Sequence, residues 1–516
     1  MNKKLFYLII GTLILSSCKK DFLELVPPTY QSSATFFQNV THFEQALYGA
    51  YQPTRVIAFT GIFQDEMRSD NTFFIIYAPD RGAFMSTEVV AEFMDDANTS
   101  VQPNNPGNRW GNAYVGISRA NAIIGRIDAV EMAEATKNRI MGEALFLRAY
   151  YFYDLVTHFG GVPLHLEEVL SEEEAFIPRS TVDEVYNQII TDLTEAIPLL
   201  AVATTFPQSG RATKGSAKML LAYAYMSKPT REYAKAETEL RDITNMNYGL
   251  LAEYADVFKP TNKNNKESIF EVQYQAGNTG QESSFIWRFI PKTTNPAAIL
   301  GTPGTNLRGG LTSGGWNTPT QELVSSYETG DKRLPASIAI AEGTLNGDNF
   351  TTESVKDVIG YTPTAGKTYY YFIKKYLNPP YTIEWNTNDN WPVYRYSGAL
   401  LLLAEALVEQ NKNAEALPFI NQVRTRAGLL PLAVVTKDDV ANEMRHELAF
   451  ENHRWTDLIR TGKAIEVMTA HGIRMKALYP WLLPQAFTDI TPKRLVYPVP
   501  FRELQINTQL TQNTGY

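Results

Sequence analysis

Apolar positions in this chain recur mostly at helical spacing, and the helical segments come in pairs. Between Gly142 and Phe159, Leu145, Ala149, Phe152 and Val156 fall on one stripe of a helix that Gly160, Gly161 and Pro163 bring to an end. Thr181, followed three residues later by Glu184, has the form of a capping box and starts the next helix. Two stretches then predict helix, short turn, helix. One runs from Ala217 to about Asn245 and turns at Lys228-Pro229-Thr230; the other runs from Ser397 to Ala427 and turns near Asn411-Lys412-Asn413. Each is about as long as a tetratricopeptide unit, roughly 34 residues. The small pairs Ala222 with Ala224 and Ala404 with Ala406 lie on the first helices, where close packing needs them. An ordinary bundle of α-hairpins fits the same pattern. A further stripe of Met444, Leu448, Trp455 and Ile459 predicts one helix across 443–460, braced by the pairs Glu451 with Arg454 and Asp457 with Arg460.

The helical pattern breaks twice, over about 59–112 and 260–392, where Gly, Asn, Thr, Pro and aromatics dominate. Five of the seven tryptophans (Trp110, Trp287, Trp316, Trp385 and Trp391) fall there, too many large rings for a disordered segment. The predicted fold is therefore all-α, a tetratricopeptide-like scaffold of helical hairpins carrying a large irregular loop lobe. Long irregular stretches of this kind in a compact domain are where binding sites are built.

The N-terminus changes how this body is read. Lys3 and Lys4 precede the apolar run Leu5 to Leu15, which is shorter than the roughly 20 residues that a spanning helix takes. It ends in Leu15-Ser16-Ser17-Cys18, small residues leading into a cysteine, as at a bacterial lipoprotein processing site. Cys18 is also the sole cysteine, so no internal disulfide can claim it, and lipidation gives the thiol a purpose. Residues 1–17 are read as a signal peptide and 18–516 as one domain, since no Pro/Ser linker or charge run divides them. A net charge of −8 disfavours nucleic acid, whose phosphates an acidic surface repels.

Candidate chemistry is sparse. There are six histidines, and no HExxH, CxxC, EF-hand or GxSxG spacing occurs. His446 and His453 lie near Glu447 and Glu451, but seven positions apart is not the i,i+3 or i,i+4 spacing of helical metal ligands. Gly210 and Gly215 have the spacing of a phosphate loop, yet Ser216 stands where that loop needs lysine. No catalytic residue, metal or cofactor is expected.

Several stretches resemble the SusD/RagB family of outer-membrane nutrient-binding lipoproteins. They are Glu143 to Phe152 with Phe159-Gly160-Gly161-Val162-Pro163; Arg211 to Ala217; Leu403 to Ala406 with Ile420 to Gly428; Glu447 to Glu451 with Arg454 to Lys463; and Pro498-Val499-Pro500 with Glu503, Asn507 and Gln512 to Tyr516. Met444, Asn452 and Thr514 depart from the family, which usually has Arg, Gly and Pro there. The resemblance implies a lipid-anchored, surface-exposed outer-membrane protein. It further implies that the protein sits over a SusC-type TonB-dependent transporter, binds oligosaccharides or peptides on loops, and uses the recognisable motifs mainly as structure. A surface glycoside hydrolase and a purely adhesive lipoprotein are the competing readings.

Aromatic rings beside hydrogen-bonding side chains suit sugars, because the apolar face of a pyranose stacks on a ring while neighbours bond its hydroxyls. One such cluster is Phe73, Phe74 and Tyr77 with Asp70, Asn71 and Arg81; others are Trp287 with Arg288, and Trp316 with Asn317. Trp316 follows Ser313-Gly314-Gly315 and is expected at an exposed loop tip, facing ligand.

Overall fold

The predicted hairpins form, and they stack in chain order. The principal helices are α1 (Val40–Tyr51), α2 (Pro53–Gly61), α3 (Pro106–Arg126), α4 (Glu134–Phe159), α5 (Val182–Leu199), α6 (Lys214–Ser227), α7 (Tyr233–Thr244), the short α8 (Phe285–Phe289), α9 (Tyr396–Glu409), α10 (Asn413–Arg426), α11 (Lys437–Glu447), α12 (Arg454–Arg460) and α13 (Ala464–Leu478). This computed structural model describes residues 36–75, 85–96, 106–277, 279–301, 314–381 and 383–516, apart from the side chains of 85–87. The predicted leader, Cys18, Tyr77 and Arg81 lie outside the described residues. Among those residues no helix is long and apolar enough to cross a membrane.

α4 packs between α3 and α5, α6 joins α5 to α7, and α9 lies against α7, α10 and α11. Local chemistry explains where these helices start and stop. Thr181 and Glu184 bond each other's backbone at the start of α5, and Gly160 caps α4 with φ +74°. α9 is apolar on every side and buried along almost its whole length, as a helix enclosed by others must be. Gly116 on α3 lets α4 come close: a Cβ there would stand 2.1 Å from the Tyr151 ring. α3 itself corrects the expectation of an irregular stretch over 59–112, because 106–126 is helical and Trp110 is buried in the helical core. Its glycines and asparagines are poor helix formers, and packing against α4 overrides that propensity.

Among the described residues, seven strands make three small sheets. β1 (Thr72–Phe73) pairs with β3 (Thr318–Pro319), β2 (Ser268–Val272) with β7 (Trp391–Arg395), and β4 (Ile338–Asn346) lies between β5 (Asn349–Lys356) and β6 (Thr368–Ile373). Among the described residues the non-helical lobe packs into two further apolar cores, the larger of them shared with α2, α12 and α13. One gathers Phe63, Phe73, Phe93, Trp316, Trp391 and Trp455; the smaller one gathers Trp287, Ile290, Leu300, Phe350, Phe372 and Tyr381.

Buried charge joins lobe to scaffold. Arg395, at the end of β7, donates to Glu267 at 2.7 Å, Glu447 at 2.9 Å and Glu451 at 2.7 Å, all of them buried. Arg426 reaches Glu267 and Glu447 from α10, and Arg333 bonds Asp331, Glu443 and Glu447 from the lobe. Removing one member would leave a buried charge unpaired, which is why the family's most recognisable blocks are scaffold residues here.

The expected helix over 443–460 is two helices. α11 ends at Glu447 and α12 begins at Arg454, with Phe450 at φ +68° and Asn452 at φ +65° between them. Glu451 consequently turns away from Arg454 and pairs with Arg395 and with Lys375 at 2.8 Å, whereas Asp457 and Arg460 do pair, at 2.8 Å. The left-handed backbone at 452 is what the family's usual glycine serves, and asparagine tolerates it better than most residues.

Candidate ligand-binding site

Most residues chosen from the sequence as ligand contacts are inside the protein. Asp70, 2% exposed, is gripped by Arg454 at 2.8 Å and Arg445 at 2.9 Å. Burial alone would raise its carboxyl, but the two guanidinium groups outweigh that and hold it well below the usual carboxylate range. Asn71 donates to Glu66 at 3.0 Å and accepts from Arg445 at 2.9 Å. Phe73 stacks on Phe74 with ring centres 4.3 Å apart, and on Tyr479 at 5.7 Å. Asn317 donates to the Ile62 carbonyl and accepts from Thr72, both at 2.6 Å.

Trp316 corrects the expectation of an exposed tip. It is 5% exposed, edge-on to Phe63 at 5.5 Å, and its backbone N–H donates to the Arg288 carbonyl at 3.0 Å. The glycines before it serve close backbone approach. A Cβ on Gly314 would meet the Ile290 carbonyl at 2.7 Å, and Gly315 donates to that same oxygen. The segment is docked flat on 290–292, so the indole turns inward.

α8, Phe285-Ile286-Trp287-Arg288-Phe289, buries everything but its arginine. Trp287 is fully buried against Tyr381 and Trp385, with ring centres 5.1 and 6.0 Å away. It therefore lies in the core beside Trp385 and presents no exposed face. Arg288 emerges half-buried and stacks over the rings of Trp385 at 4.8 Å and Phe59 at 5.5 Å. Burial holds its guanidinium below the usual arginine range, and the group stays charged.

Trp385 is the second half of this ledge. It is half-buried at the turn where Ile383 bridges Asn386, and its φ is +60°, a region where a bulky side chain costs about 1–2 kcal/mol. The turn is held from below: Ser283 and Thr387 exchange backbone hydrogen bonds, and the Asn386 amide bonds both polar groups of the Gly277 backbone. Strain of this kind persists where the surroundings enforce it, and it gathers at functional positions. Ile383 and Asn388, near it in the chain, are exposed. Arg288 and Trp385 are both visible in the sequence, but which ring of 287 and 385 faces outward depends on the backbone at 385, for which Glu384-Trp385-Asn386 gives no signal.

One cluster has the look of catalytic machinery. His158 bonds Asp65 at 2.6 Å, beside Arg109 and Asp154, and lines a cavity of about 90 Å³. These groups are already paired with one another, so none is left free to act on a substrate. Among the described residues no cluster of His, Cys, Asp and Glu could hold a metal ion.

Residues 266–516 match the SusD family, and residues 21–228 match a family described as starch-binding and associating with the outer membrane. SusD-like protein P25 of Formosa agariphila is 27% identical, over 99% of this chain and 100% of its own length. A solved laminarin-binding SusD-like protein superposes with a TM-score of 0.72 at 28% identity, covering 93% of this chain and 100% of that one. Surface glycan-binding protein A of Bacteroides uniformis superposes with a TM-score of 0.72 at 25% identity, covering 92% and 99%.

Proposed function

The chain belongs to the SusD family, and from that premise we propose that it captures oligosaccharides at the cell surface and passes them to a SusC-type TonB-dependent transporter, without chemistry of its own. The observation that carries the reading is Trp385. Its indole packs against the smaller core yet stays half-exposed, its backbone holds a conformation that costs free energy, and the Arg288 guanidinium stands beside it. An indole face takes the apolar face of a sugar ring, and a nearby guanidinium and amides take its hydroxyls. The laminarin-binding relative, at 28% identity, favours sugar over peptide.

The same reading gives Cys18 the role of lipid attachment point, tethering a protein that faces outward at the outer membrane. Isothermal calorimetry of the chain from Cys18 onward tests the function, with laminari-oligosaccharides, malto-oligosaccharides and mixed peptides as titrants. Sugar binding that is lost in Trp385→Ala supports it. Binding of peptides alone would overturn the choice of sugar, and binding of none would overturn the function.

A further inference from the structure

Every other buried or half-buried arginine among the described residues has a carboxylate or a carbonyl oxygen as partner, Arg474 through an ion pair with Glu322 at 4.0 Å and the rest through hydrogen bonds. Arg68 has Asp95, Arg148 has Asp192, Arg109 has Asp65 and Asp154, and Arg179 has backbone carbonyls. Arg288 alone has neither. Among the described residues its side chain has ring contacts only, and its Nε is buried without a hydrogen-bond partner. Scarcity of acid does not explain this, because the chain carries 55 Asp and Glu against 47 Lys and Arg.

A cation withdrawn from water and left without an anion is costly, and it is retained where something else supplies the anion. With its Cζ over the Phe59 and Trp385 rings and its Nε buried, the guanidinium has its two terminal Nη groups left to offer a ligand lying along the indole. Two such groups match a carboxylate or a sulfate, which they can bind through two parallel hydrogen bonds.

We propose that Arg288 selects acidic glycans, in which a uronate carboxylate or a sulfate ester meets the guanidinium while a neighbouring sugar ring stacks on Trp385. The inference rests on the sugar-binding reading of this ledge and narrows it to one chemical class.

Calorimetry on the intact mature chain separates the possibilities, with three titrants: a neutral laminari-oligosaccharide, an oligouronate, and a sulfated neutral oligosaccharide. An acidic titrant should bind on the order of tenfold more tightly than the neutral one, the size of effect a charged hydrogen-bond pair gives. That preference should shrink with added salt and vanish in Arg288→Gln, with Arg288→Lys between the two; whichever acidic titrant responds identifies carboxylate or sulfate as the anion. Equal affinity for neutral and acidic sugars would overturn the selectivity and leave the sugar-binding reading standing. So would equal weakening of both classes in Arg288→Gln at unchanged melting temperature, which would make Arg288 a brace for Trp385. No binding of any sugar would remove the reading and the inference together.

Discussion

The Asp70 carboxylate accepts from the Arg454 guanidinium at 2.8 Å, tying the turn before β1 to the first residue of α12 across most of the chain. A residue type well suited to a sugar hydroxyl is here spent on the fold. Asp70→Asn should therefore destabilise by about 3 kcal/mol, since it strips the half-buried Arg454 of its carboxylate and leaves the buried Arg445 with Glu322 as its remaining carboxylate. Sugar affinity of the folded fraction should not change. The pH dependence has a definite sign: with its folded carboxyl held below the unfolded value, Asp70 contributes stability above about pH 4 that is lost as the pH falls further. Melting curves between pH 3 and pH 7 check this, and a mutant with a wild-type acid limb would contradict it.

Trp385→Ala should weaken sugar binding by about 1–3 kcal/mol, roughly 5- to 150-fold, as loss of a central aromatic anchor does. Trp385→Gly should lose the same affinity yet melt higher than the alanine variant, because glycine occupies φ +60° without strain. Paired calorimetry and thermal melts read both effects. An alanine variant as stable as the glycine one would mean that the turn is not strained.

Trp316→Ala should lower stability by about 3–5 kcal/mol, in the range of a buried ring removed from a core. Gly314→Ala should also destabilise, because its new methyl group meets the Ile290 carbonyl. Sugar titrations of whatever folds should match wild type; weakened binding at unchanged melting temperature would return Trp316 to the ligand face.

If Cys18 is the lipid attachment point, Cys18→Ala should yield a folded protein found in the soluble fraction of cells that lack any SusC-type transporter. Recovery of the mutant entirely with membranes in such cells would rule out the thiol as the anchor.

Helix periodicity and turn chemistry made the hairpins legible. Pro229 and Asn411 punctuate them where expected, and Asn411 takes φ +61° at its turn. The break in 443–460 was not legible, because its stripe fits a continuous helix. What breaks it is Glu66, whose carboxylate accepts the backbone N–H groups of Phe450 and Asn452 from far along the chain. The candidate site was half legible for a related reason. Aromatic loops beside polar residues announce a binding surface, but whether a given indole ends outside or inside is decided by long-range docking, as Ile290 does for Trp316. Local glycines look the same in both cases.

The arginine knot around Arg395 bears on how such a protein could move. It gathers Glu267, Glu447 and Glu451 from the start of β2, the end of α11 and the segment before α12, and it closes at the junction of β7 with α9. Swinging the lobe away from the helical stack would strip several charges of their partners at once, deep inside the molecule. No hinge is available there at thermal energies. The ledge at Trp385 therefore keeps its place against the helical stack, and a sugar proposed to bind there would meet a surface already formed.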